Sequence, residues 1–306
     1  MSAACVFNRR GAPAFALAGA LVLTATAAPA GADTDADGPA GGIADEYVAL
    51  GDSFTAGPFI PPPYGDPALC LRSRSNYPNR VAEAAGADEF TDASCIGAET
   101  GDMAEPQGLG LATNPAQLDA LTPETTLVTL GVGGNDLGYS ELALTCLALA
   151  ATDPDGAPCR DHYTGPGGDE IRERLPEVGE NVGGVLEAVG RRSPDATVAV
   201  VGYLELLPRE DGCLQAPFAD DDVEYLYGVW AELNAVLEKE AADAGAVFVD
   251  TSDPGHDMCA PSGRRWVEGV FPNRPAAPVH PNAAGMTEVG DRVLEALGVR
   301  RDSPQV

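Results

Sequence analysis

Five short apolar runs, each separated from the next by a stretch with helical patterning, constrain the fold of this chain most tightly. Residues 126–132 and 197–202 are continuous β-branched apolar runs, the pattern of strands buried on both faces. Residues 46–50, 90–93 and 246–250 are shorter or weaker versions. Between and after them lie a helical segment at Tyr77–Ala85 with Asn76 as its cap, a long one over 169–192 interrupted by Pro176 and two glycines, one over 221–244, and a last one over 283–297 capped by Asn282. Strands alternating with helices predict a mainly parallel, doubly wound α/β sheet of five strands. The remaining loops, 57–75, 138–168 and 252–279, are long enough to be functional or pinned, and each carries cysteine.

The ends of the chain read differently. Arg9 and Arg10 precede a small-residue apolar run over 12–28, and Ala28-Pro29-Ala30 has the form of a leader cleavage site. Residues 1–30 are therefore expected to be a signal peptide, too short and alanine-rich for a membrane span. Residues 31–44 lack periodicity and read as a flexible acidic linker, 45–300 as one domain, and 301–306 as a tail. The linker holds Asp33, Asp35 and Asp37 in the spacing of half a calcium loop. The position that needs a bidentate glutamate is Ala44, so no metal is expected there.

The formal charge of −29 becomes −31 once Arg9 and Arg10 leave, with 16 basic side chains against 47 acidic. Such a surface repels nucleic acid and anionic membranes. Without Cys5, six cysteines remain: Cys70, Cys95, Cys146, Cys159, Cys213 and Cys259. An even count in an exported chain predicts three disulfides, with fifteen pairings open, and no C-x-x-C suggests zinc.

Three segments carry chemistry. The run at 46–50 ends in Gly51-Asp52-Ser53-Phe54-Thr55-Ala56-Gly57, which puts a serine hydroxyl at the carboxyl end of a strand, where such sheets hold ligands. Gly133-Gly134-Asn135-Asp136 offers a side-chain amide after another strand, and a dinucleotide fingerprint fails there because Asp136 occupies the last glycine position. Val279-His280-Pro281-Asn282 offers an imidazole before the last helix. The other two histidines, His162 and His256, lie beside cysteines in polar loops and read as loop structure. No G-x-S-x-G elbow occurs, which argues against an α/β-hydrolase.

In that order and with those neighbours, the segments resemble the SGNH (GDSL) hydrolase family of serine esterases and lipases over residues 47–298, with Phe54 where the name-giving motif has leucine. The resemblance implies a three-layer α/β/α fold of the flavodoxin type and secreted hydrolysis of carboxylic esters without metal or cofactor. It also implies Ser53 as nucleophile, His280 as base, and an oxyanion hole of Ser53 N–H, Gly97 N–H and the Asn135 amide. Around Gly97 the chain has Ile96 and Glu99 where secreted members usually have serine and threonine. Pairings Cys70–Cys95, Cys146–Cys159 and Cys213–Cys259 are implied in the same way. Many members place an aspartate three residues before the histidine; here that residue is Ala277. A backbone carbonyl can orient the imidazole instead, and Ala277 is the expected one, with Asp250, Asp253 and Asp257 as alternative carboxylates. Phe59, Ile60 and Tyr64 form either a wall for an acyl chain or a packed proline-rich loop. The expected partner is a small-molecule or lipid ester, with at most transient contact with a lipid surface and a monomeric enzyme. Polysaccharide deacetylation or phospholipid hydrolysis by the same machinery is the nearest alternative, and a non-catalytic exported binding protein the more distant one.

Overall fold

Strand β1 (Glu46–Gly51) is buried from Tyr47 onward, as a run covered by helices on both sides must be. The computed structural model describes residues 43–210 and 212–299; the expected leader, most of the linker and the tail lie outside them. Ala44 is already buried against the core, so the packed domain begins before the expected end of the linker.

With β2 (Glu89–Asp92), β3 (Leu127–Gly131), β4 (Thr197–Val201) and β5 (Val247–Val249), β1 forms a parallel sheet in the order β2-β1-β3-β4-β5. Tyr47 stands opposite Leu127 and Gly51 opposite Gly131, which brings the ends of β1 and β3 level. Strand order reverses between these two strands, and open α/β sheets bind ligands in the crevice outside such a reversal. The residues after Gly51 and after Gly131 therefore share the natural site.

Helices α2 (Tyr77–Ala85) and α8 (Ala283–Ala296) pack together, as do α6 (Leu175–Arg192) and α7 (Asp220–Asp243), completing the three-layer α/β/α architecture expected from the sequence. Asn76 and Asn282 cap their helices through side-chain oxygens. Pro176 lies in the first turn of α6, where its missing N–H costs nothing, so it starts the helix and does not interrupt it. The short helices α1 (Ser53–Ala56) and α3 (Gly101–Ala104) follow the first two strands.

The stretch 138–168 departs from its reading as a loop. It contains α4 (Tyr139–Ala150) and α5 (Pro158–Tyr163). The sequence of α4, YSELALTCLALA, is apolar almost all round, so it shows no helical stripe. The three disulfides join Cys70 to Cys95, Cys146 to Cys159 and Cys213 to Cys259. The second of them fastens α4 to α5.

Candidate active site

Where β1 meets β3 there is no room for a side chain at residue 51. A Cβ on Gly51 would lie 2.2 Å from Thr55 Oγ1 and 2.6 Å from the Gly131 carbonyl. Gln117 seals the same residue from another side. The Gly51 N–H donates to Gln117 Oε1 (2.8 Å) and Gln117 Nε2 donates to the Gly51 carbonyl (2.9 Å). The Asp52 N–H donates to the Gly131 carbonyl (3.0 Å), carrying the sheet pairing one residue further. The chain then turns into α1. Asp52 caps it by accepting the Phe54 N–H (2.8 Å), and left-handed Gly57 closes it. Ser53 is thus the first residue of a helix, where an N–H has no intrahelical acceptor.

His280 reaches Ser53 across 227 residues of chain: its Nε2 lies 2.8 Å from Ser53 Oγ, and its Nδ1 lies 2.7 Å from the Pro278 carbonyl. A carbonyl only accepts, so Nδ1 carries the proton and Nε2 presents its lone pair to the serine hydroxyl. Burial pushes the His280 pKa below its ordinary value, and the bond to Pro278 opposes that shift. The imidazole is accordingly neutral at pH 7, the form a base requires.

The orienting carbonyl is that of Pro278, not Ala277. Val279 has φ 62°, and this left-handed residue folds the Pro278 carbonyl back onto the ring two positions later. Ala277 is buried one step further away and donates its N–H to the Pro58 carbonyl (3.1 Å). None of the alternative carboxylates bonds to the ring. Asp250 accepts from Ser252, Asp253 pairs with Arg292 (2.8 Å), and Asp257 accepts the Cys259 N–H (2.7 Å).

Asn135 lines the same cavity as Ser53 and His280. One of its two amide hydrogens is committed to the Ala98 carbonyl (2.9 Å), which leaves the other free. Gly97 precedes Ala98 in a turn with φ 69° and is tied to Asn135 through it, but does not itself line the cavity. Asp136 joins the two segments again by accepting the Thr100 N–H (3.1 Å). Glu99, beside this junction, has a raised pKa from partial burial and from the nearby Asp136 and Asp102.

Sequence reading missed Tyr203. It lies just beyond β4, and its hydroxyl donates to Asp52 Oδ2 (2.6 Å) while accepting the Gly134 N–H (2.8 Å). One buried phenol thus links the serine turn to the Asn135 loop. Burial raises the Asp52 pKa to about 7, and the bonds from Tyr203 and Phe54 limit the rise. Nothing in the local sequence marks Tyr203, because its partners are distant in the chain.

From Ser53, Asn135 and His280 a cavity of about 240 Å³ runs between Ala143, Leu144 and Leu147 of α4 and Leu206, Trp230 and Leu233 on the other side. Its walls are almost wholly apolar. Phe59, Ile60 and Tyr64 do not line it. Ile60 is buried and the Tyr64 hydroxyl donates to Asp92 (2.7 Å), as the packed-loop alternative requires, while Phe59 stays exposed outside the cavity. His256 stacks on Trp266 and is within 2.6 Å of the Arg264 carbonyl, consistent with loop structure.

The profile of the GDSL-like lipase/acylhydrolase family matches residues 49–287. A protein named Lipase 2 from Streptomyces coelicolor is 39% identical over 286 residues, covering 90% of this chain and 90% of its own. Among solved structures, phospholipase A1 from Streptomyces albidoflavus superposes with a TM-score of 0.67 at 26% identity, covering 82% of this chain and 97% of its own. The extracellular lipase from Streptomyces rimosus gives 0.66 at 28% identity with the same coverage.

Proposed function

The chain belongs to the GDSL-like lipase/acylhydrolase family and is a carboxylic ester hydrolase, and from that premise we propose that it is a secreted enzyme acting through a Ser53–His280 dyad. Ser53 Oγ attacks the ester carbonyl as His280 Nε2 takes its proton. The imidazolium returns that proton to the leaving alcohol, and water, activated by the same nitrogen, releases the acid. The Ser53 and Gly97 N–H groups and the free Asn135 amide hydrogen receive the oxyanion. The Pro278 carbonyl keeps the proton on Nδ1 throughout. The 2.8 Å Ser53–His280 contact is the observation that carries this reading.

The apolar cavity takes the acyl chain. A dry cavity of about 150 Å³ holds a six-carbon ring, so 240 Å³ accommodates about ten carbons. An acetyl group would leave most of it empty, which favours esters of longer acyl chains over acetylated polysaccharide. Residues 1–30 act as an export leader, and the three disulfides suit an oxidising compartment. The acidic surface limits contact with lipid to neutral, transient encounters, and the enzyme works as a monomer.

A series of nitrophenyl esters from two to sixteen carbons, assayed with the parent and with Ser53→Ala, tests this directly. The parent is expected to peak at intermediate chain length, and Ser53→Ala to lose on the order of 10⁴-fold at every length. Retained turnover in the serine variant would refute the assignment.

A further inference from the structure

The resting geometry of His280 depends on a backbone conformation that valine rarely adopts. A β-branched residue at φ 62° is a true outlier, and it persists only where its surroundings over-determine it. Neighbouring contacts do this. The Glu268 N–H donates to the His280 carbonyl (2.9 Å), the Val279 N–H reaches the Gly269 carbonyl (3.4 Å), and the Asn282 N–H donates to the Trp266 carbonyl (2.8 Å). Val267 forms a bridge with Pro281. Residues 279–282 are therefore laid along one segment, residues 266–269.

That segment is pinned by a buried carboxylate. Glu268 is 1% exposed; its Oε1 accepts Asn282 Nδ2 (2.8 Å), and its Oε2 accepts the Asn273 N–H (2.9 Å) and faces Arg265 Nη1 (3.4 Å). Arg265 and Asn282 are buried as well, and Asn282 Nδ2 also donates to the Arg265 carbonyl (2.9 Å). None of the three lines the substrate cavity. A buried ion pair gains little or nothing in stability over an apolar replacement of the same volume, because desolvation offsets the attraction. What this one does is fix positions: it ties residues 265, 268, 273 and 282 together around the turn that carries the base.

We infer that Glu268 is the positioning residue of His280, holding Val279 left-handed through the 266–269 segment and Asn282 and so aiming the Pro278 carbonyl at Nδ1. The carboxylate that a triad would place on the ring here acts on it through the main chain. The inference rests on the Ser53–His280 reading and adds to it a residue that never touches the imidazole.

The test uses the full chain, a four-carbon nitrophenyl ester, and four variants whose melting temperatures are recorded alongside. Glu268→Gln keeps the size and one acceptor but loses the charge; it is expected to lower kcat by roughly 10- to 100-fold with KM within about twofold, since displacement of a base by about 1 Å costs on that scale. Val279→Gly and Val279→Pro form the second arm. Glycine takes positive φ freely, whereas proline locks φ near −65°. The glycine variant is expected to keep at least about 30-fold more kcat than the proline variant. This arm tests the left-handed turn on which the inference depends, and it keeps the inference falsifiable if Glu268→Gln does not fold. An unchanged kcat in folded Glu268→Gln, a rise in KM alone, or equal kcat in the two Val279 variants would overturn the inference. His280→Ala is the separate control: full activity there would remove the underlying dyad reading, not the role of Glu268 alone.

Discussion

At the scale of single residues, the protonation state of His280 has a direct kinetic consequence. Burial lowers its pKa from the ordinary value of 6.5, and the proposed role as base requires the neutral form. Activity is therefore retained as pH falls through 7, and its loss is centred below the ordinary value of 6.5. The acid limb of kcat/KM for a short ester is expected to report an apparent pKa under 6.5; a limb above 7 would contradict the neutral, carbonyl-oriented imidazole. Ser53, Asn135 and His280 were legible because each stands in a local block whose neighbours identify it. The Pro278 carbonyl was not, because counting back from the histidine points to Ala277 and only the left-handed Val279 moves the acceptor by one residue. Tyr203, Gln117 and Glu268 were likewise hidden. Tyr203 meets Asp52 across 151 residues and Gln117 meets Gly51 across 66, separations that a reading of local pattern cannot bridge.

At the scale of elements, the helix that the sequence hid is the one that walls the cavity beside Ser53 and His280. The apolar surface of α4 faces the cavity on one side and the core on the other, and this double burial removes the amphipathic period that would reveal a helix. Its tether to α5 through Cys146–Cys159 holds that wall in place. Ala143, buried on the cavity face, gives the sharpest probe. Ala143→Phe fills part of the cavity, so the ratio of kcat/KM for ten-carbon over four-carbon esters is expected to fall by about 10- to 100-fold, the scale on which a hydrophobic pocket discriminates by even one methylene. An unchanged ratio would show that the acyl chain lies elsewhere. The other long helices were anticipated because each has one buried stripe, but α6 begins at Leu175, six residues after the expected start at 169, and the error at Pro176 came from treating as a break what is a permitted first-turn proline.

At the scale of the whole molecule, the order β2-β1-β3-β4-β5 explains why distant blocks converge: the serine turn and the asparagine loop both leave the sheet at its reversal point. Alternation of strands and helices made the layers readable, but strand order depends on pairings that no local pattern records. Global stability carries a trace of the acidic composition. Glu205, buried beyond β4, has its pKa raised to about 7 by burial and then by Asp257, with Asp253 and Asp250 adding to the effect and Arg209 opposing it. A carboxyl whose folded pKa is raised contributes stability fully below its unfolded value of 4.5 and loses it as pH rises through about 7. Glu205→Gln is therefore expected to melt above the parent at pH 8, with the gain shrinking toward pH 5. A difference independent of pH would mean that Glu205 is not held in this way.

The central claim is that a Ser53–His280 dyad performs the chemistry, and covalent labelling tests it most directly. A fluorophosphonate probe reacts with a serine only when a base takes its proton, so the adduct identifies the activated hydroxyl. Peptide mass spectrometry of the labelled protein is expected to find one adduct, on Ser53, abolished by Ser53→Ala and strongly slowed by His280→Ala. An adduct on any other residue, or labelling of Ser53 at the parent rate without His280, would contradict the account.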